Sequence, residues 1–125
     1  MSTVPKALEA QFKTDFEAIP SLAKVKVIAT EKVIDAPRTP TLLIRQTSIG
    51  RCPTAPLSHR NVGIIATLIS PHEDMDRAGE QLADLVADLL DYLDTRFAHD
   101  DATQVGYNDR LAYDLPLTVI AAKDK

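Results

Sequence analysis

The strongest constraint on this chain is a long amphipathic stretch that starts near Ser70 and runs to about Phe97. On a 3.6-residue wheel Met75, Ala78, Leu82, Leu85, Val86, Leu89, Leu93 and Phe97 form one apolar stripe, with Asp84, Asp88 and Asp91 on the opposite side. Such a helix must bury its stripe against another layer. Ser70-Pro71-His72-Glu73 fits a capping box with proline at the first helical position, and Asp74 is the competing cap.

The rest of the chain supplies that layer. Residues 3–19 read as a second helix, because Val4, Leu8, Phe12, Phe16 and Ile19 recur at helical spacing and Pro20 stops the run. Residues 24–30 alternate, with Val25, Val27 and Ala29 on one side, and predict a strand with one wet face. Residues 41–49 predict another strand. Residues 61–70 predict a third, apolar on both faces and therefore central. The intervening residues 50–58 hold Gly50, Pro53 and Pro56 and read as an exposed loop, while residues 99–102 read as a turn. Residues 103–108 and 113–122 predict a closing hairpin turning at 109–112. Pro116, lacking an N–H, predicts an edge position in its last strand. Gly63 predicts a bulge or close packing in the third strand. The expected fold is one α+β domain over residues 1–125, a mostly antiparallel sheet of about five strands packed by two helices, in the order α-β-β-β-α-β-β.

The length of 125 residues suits one domain with a real core, built from aliphatic residues because aromatics are only 5% of the chain. A net charge of -4 argues against a protein that coats DNA or an anionic membrane. The single cysteine, Cys52, permits no internal disulfide and fits a reducing compartment. The first eleven residues include Lys6 and Glu9 and do not read as a signal peptide.

Charge is segregated along the chain. From Ala36 to His72 there is no acid, but there are four arginines, Arg38, Arg45, Arg51 and Arg60. From Glu73 to Asp101 ten acids face only Arg77 and Arg96. A solvated helix face explains the acids without any partner. The functional alternative is that the arginines of one copy meet Asp84, Asp88 and Asp91 of a neighbour, a head-to-tail contact that repeats into a ring when its rotation closes. These seven residues are the interface candidates.

No catalytic residue, cofactor or metal is implied. His72 lies beside Glu73 and Asp74, and His99 beside Asp100 and Asp101, but ligands adjacent in sequence seldom converge on one ion. Cys52 stands between Arg51 and Pro53 in the loop, with His59 in the same segment as a low-ranked partner. The four glycines compose no phosphate loop.

The segment IATLISPH at 65–72, running into an Asp-started Leu-rich helix, and ATQVGYNDRLAYDLPLTVI at 102–120 together resemble the tail terminator (tail completion) proteins of long-tailed phages infecting actinobacteria. The resemblance extends to the order of elements over nearly the whole chain. It implies a small α+β virion protein, assembled in the host cytoplasm, whose copies form a homo-oligomeric ring, expected to be a hexamer. That ring would sit on the tail tube protein at the head end of the tail, stop tube polymerisation and offer a surface to head–tail connector proteins. It implies no enzyme activity, no membrane and no sequence-specific nucleic acid. A head–tail connector or neck ring subunit, and a small cytosolic binding domain, are the alternative readings.

Overall fold

The computed structural model describes residues 4–32, 38–51, 59–107 and 109–122. In chain order the elements are α1 (Val4–Glu17), β1 (Lys26–Ala29), β2 (Thr41–Arg51), β3 (His59–Ile69), α2 (Met75–Asp94), β4 (Ala98–His99), β5 (Thr103–Tyr107) and β6 (Arg110–Ala122). The fold is the expected α+β domain, with six strands instead of five. The sixth is the two-residue β4, which occupies part of the predicted turn at 99–102.

The strands lie in the order β1-β2-β3-β6, with β4 and β5 following each other along the far side of β6. β1 runs parallel to β2, and every other pairing is antiparallel. β3 is central, as its two apolar faces require. Side chains in register line one face: Leu42 opposite Leu68, Ile44 opposite Ala66, and Ile64 opposite Leu117. Both helices pack on that face. Leu8, Phe12 and Phe16 of α1 and Leu82, Val86, Leu89 and Leu93 of α2 join Leu42, Ile44, Ile64, Ala66, Leu68 and Leu115 in one core. A smaller cluster of Leu43, Ile69 and Ala112 belongs to the other face.

Local chemistry sets the helix ends. α2 starts at Met75 because Asp74 is its cap: extended at φ -72° and ψ 115°, it accepts from the Asp76 N–H at 2.9 Å. The predicted capping box at Ser70 does not form. Ser70 is buried, its hydroxyl accepts from the His72 N–H and donates to Gln81 Oε1, and so it braces the turn between β3 and α2. Met75, at the start of the predicted stripe, is 52% exposed. α1 ends at Glu17, short of Ile19, where three-residue turns from Asp15 and Phe16 precede Pro20.

Two sequence expectations change meaning in the sheet. β6 is not an edge strand: β3 flanks it on one side, and β4 and β5 on the other. Pro116 falls at the seam between β4 and β5, where the Pro116 carbonyl accepts from Asp100 N and the missing proline N–H costs no ladder bond. The closing hairpin is also tighter than predicted. Its strands meet at the pair Tyr107 and Arg110, and Asp109 takes the left-handed conformation with φ 64°.

The bulge signalled by Gly63 lies on the facing strand. β2 pairs Gln46 with Ile64 and Ser48 with Gly63, so Thr47 is the extra residue. A Cβ on Gly63 would stand 2.4 Å from Ser48 Oγ and 2.9 Å from Thr47 Oγ1, and glycine makes room for both hydroxyls.

Candidate functional site

The seven interface candidates do not form one surface. Arg38 is exposed just before β2. Arg45 is half-buried on the face opposite the helices, where its Nη2 donates to Thr67 Oγ1 at 3.5 Å. Thr67 in turn donates to Asp114 Oδ1 at 2.7 Å, so three side chains tie β2, β3 and β6 together. Arg45 therefore serves an internal network. Its buried Nε has no hydrogen-bond partner among the described residues.

Arg51 and Arg60 occupy opposed positions in the β2–β3 ladder, and Arg60 is exposed. The side chain of Arg51 lies outside what the structure describes. On α2, Asp84 and Asp91 are exposed and Asp88 is half-buried. Asp84 and Asp88 line a surface groove with Lys24, Thr39 and Pro40, so part of their field is answered within the molecule.

Sequence reasoning missed the most distinctive surface, the flanks of the sheet. Along the first half of one flank, acids take up two of the outward amides. Glu9 of α1 accepts from the outward Ala29 N–H of β1, and Glu31 accepts from the outward Gln46 N–H of β2 at 3.2 Å. Burial alone would raise the Glu9 carboxyl, but the Ala29 hydrogen bond and the charges of Lys13 and Lys6 outweigh it and hold the group below its ordinary value. On the other flank β5 and β4 cover β6 from Arg110 to Thr118.

Beyond those points no described residue covers the edges of β2 and β6. After the bulge, Ser48 and Gly50 turn towards β3, and the backbone of Ile49 faces outward. Past Thr118, the backbone of Ile120 faces outward on the far side, in step with Pro116. No described residue pairs with either outward position. The same two residues, Ile49 at 63% and Ile120 at 55%, are exposed large apolar side chains. An edge is a property of strand order, so no local pattern in the sequence signals it.

The histidines do not converge. His72 is half-buried at the start of the turn into α2. His99 on β4 has Nδ1 3.0 Å from the Asp100 carbonyl and Nε2 2.6 Å from Asp94 Oδ1. Both neighbours are acceptors, so the ring protonated on both nitrogens serves them best. The Asp100 carbonyl first, then Asp94, lift His99 above its ordinary 6.5 against a smaller opposing effect of burial.

A raised folded value means that this contact stabilises the fold fully below pH 6.5 and is lost as pH rises through the folded value. Thermal melts of the wild type and His99→Gln should therefore differ most below pH 6.5 and converge at alkaline pH. A difference that ignores pH would show that the proton on His99 has no part in holding β4.

Among the described residues no group of three His, Cys, Asp or Glu could hold a metal ion. Cys52 and the side chain of His59 lie outside what the structure describes, and with them the Cys–His pairing considered above. No described helix is long and apolar enough to cross a membrane. Compared with models of known protein families the chain matches none, and no curated protein matches it either.

Proposed function

We propose that this chain is a non-enzymatic structural subunit of a tailed phage, whose copies form a ring that caps the tail tube, ends its polymerisation and presents a surface for head joining. The observation that carries this reading is the pair of uncovered edges at one end of the long strands β2 and β6, each with an exposed isoleucine. A growing tube ends in a surface that can accept another ring, and a subunit that docks there but offers a different upper face stops growth. The motifs at 65–72 and 102–120 and the order of elements support the same reading. The exposed acids of α2 and the opposed Arg51 and Arg60 positions would steer and register such contacts more than strengthen them.

The test is to add the purified protein to tail-tube protein encoded with it, during polymerisation. Tubes should stop short, with the protein found at one end by electron microscopy. Binding to the portal-side connector complex instead would reassign it to the neck. Tubes of unchanged length, with the protein bound to neither structure, would overturn the proposal.

A further inference from the structure

The closed and open parts of the two flanks divide the sheet in the same way. On the β1–β2 flank, Glu9 and Glu31 satisfy the outward amides of Ala29 and Gln46, and the edge opens only after the Thr47 bulge. On the other side of β3, β5 and β4 pair with β6 as far as Thr118, and the edge of β6 itself is uncovered only after it. The open portions, residues 47–51 of β2 and 119–122 of β6, lie at the same end, because Ile49 is in register with Val62 and Val119, and Gly50 with Asn61 and Ile120. An exposed edge is a hazard that proteins usually block. The outer sides of the short β4 and β5 are edges as well, but among the described residues these two are the uncovered stretches of the long strands flanking β3, and they carry the exposed isoleucines.

We infer that copies of this chain join head to tail by strand addition, the β6 edge at residues 119–122 of one copy pairing with the β2 edge at residues 47–51 of the next. The inference rests on the ring reading above and names its junction. The occupant is a second copy because the two edges fit each other. They are of similar length, sit at the same end and belong to strands that run the same way, since β2 and β6 are both antiparallel to β3. A foreign strand would need only one of them.

Three strands per copy form the arm, and three is odd. A rotation about a ring axis keeps strand direction along that axis, so each junction is a parallel pair between antiparallel triplets. The contact is heterologous, leaving one β2 edge and one β6 edge free until the ring closes. The isoleucines suit this arrangement. Ile49 shares the helix-bearing face with Val62 and Val119, and Ile120 lies on the other face with Asn61 and Gly50, so each junction covers apolar surface on both faces.

The experiment uses Ile49→Lys and Ile120→Lys, each placing a charge on one edge at a position already exposed, with circular dichroism to confirm folding. Native mass is measured for the wild type, each variant and an equimolar mixture. If the wild type is a single copy on its own, the same samples are measured on tail-tube ends. The wild type should give a multiple of one chain, and each variant a single copy. The mixture should give a dimer, formed by the intact β6 edge of Ile49→Lys and the intact β2 edge of Ile120→Lys.

A homodimer from either variant alone would mean like edges pair, and would overturn the head-to-tail junction. Variants that keep the wild-type mass would overturn the edge junction while leaving the ring intact. A wild type that remains a single copy, alone and on tubes, would remove the ring reading itself and the junction with it.

Discussion

Phe12→Ala is expected to lower the free energy of unfolding by about 3–5 kcal/mol, a large part of the roughly 5–15 kcal/mol that holds a domain of this kind together. Phe12 has no exposed surface. Its ring stacks on Phe16 at 5.7 Å and meets the edges of Tyr92 and Phe97 at 5.7 Å each. The chain has only three phenylalanines, and all three are in this cluster, so no other large side chain is at hand to refill the space. Phe12 also stands where α1 meets the C-terminal turns of α2. Its loss would loosen the hydrogen bond from the Tyr92 hydroxyl to Asp15, which burial and the Asp15 carboxylate accompany by pushing the Tyr92 phenol well above its ordinary value. Urea unfolding followed by circular dichroism measures the effect. A loss under about 1 kcal/mol, typical of a site outside the core, would show that α1 is not docked as described.

Thr67→Val is expected to cost about 2 kcal/mol although it removes no volume. Thr67 is 1% exposed, and its hydroxyl is the middle member of the Arg45–Thr67–Asp114 chain. A methyl group in its place leaves a carboxylate and a guanidinium, both half-buried, without their shared partner. Thr67→Ser keeps the hydroxyl and loses one methyl, about 1 kcal/mol. The polar substitution should therefore be milder than the apolar one, the reverse of what hydrophobicity predicts for a buried site. Urea midpoints in the opposite order would show that the hydroxyl chain adds nothing to stability.

What the sequence revealed, and what it hid, follows from the range of the interactions involved. The α2 stripe was legible because it repeats over many turns, and β3 was placed at the centre because both its faces are apolar. Tyr92 was passed over although it continues the edge of that stripe, three residues after Leu89 and seven after Leu85; what the pattern cannot show is that its hydroxyl is held by Asp15, 77 residues away. β4 is too short to leave a pattern. Pro116 was noticed for the right reason, its missing N–H, but only strand order reveals a seam inside the sheet. Among the interface candidates, charge layout singled out Arg45 along with the exposed arginines, since nothing local says that register places Thr67 and Asp114 beside it. Open edges are still further from the sequence, because they depend on what four other segments leave uncovered.

The bulge at Thr47 acts as a phase shifter in the arm. Before it, the even-numbered residues of β2 look towards the helices; after it, the odd-numbered ones do. Dropping one residue from this stretch would turn Ile49 and its neighbours over, while dropping two would keep their orientation. Variation in the length of β2 around the bulge is thus confined to even steps, unless a second irregularity restores the phase.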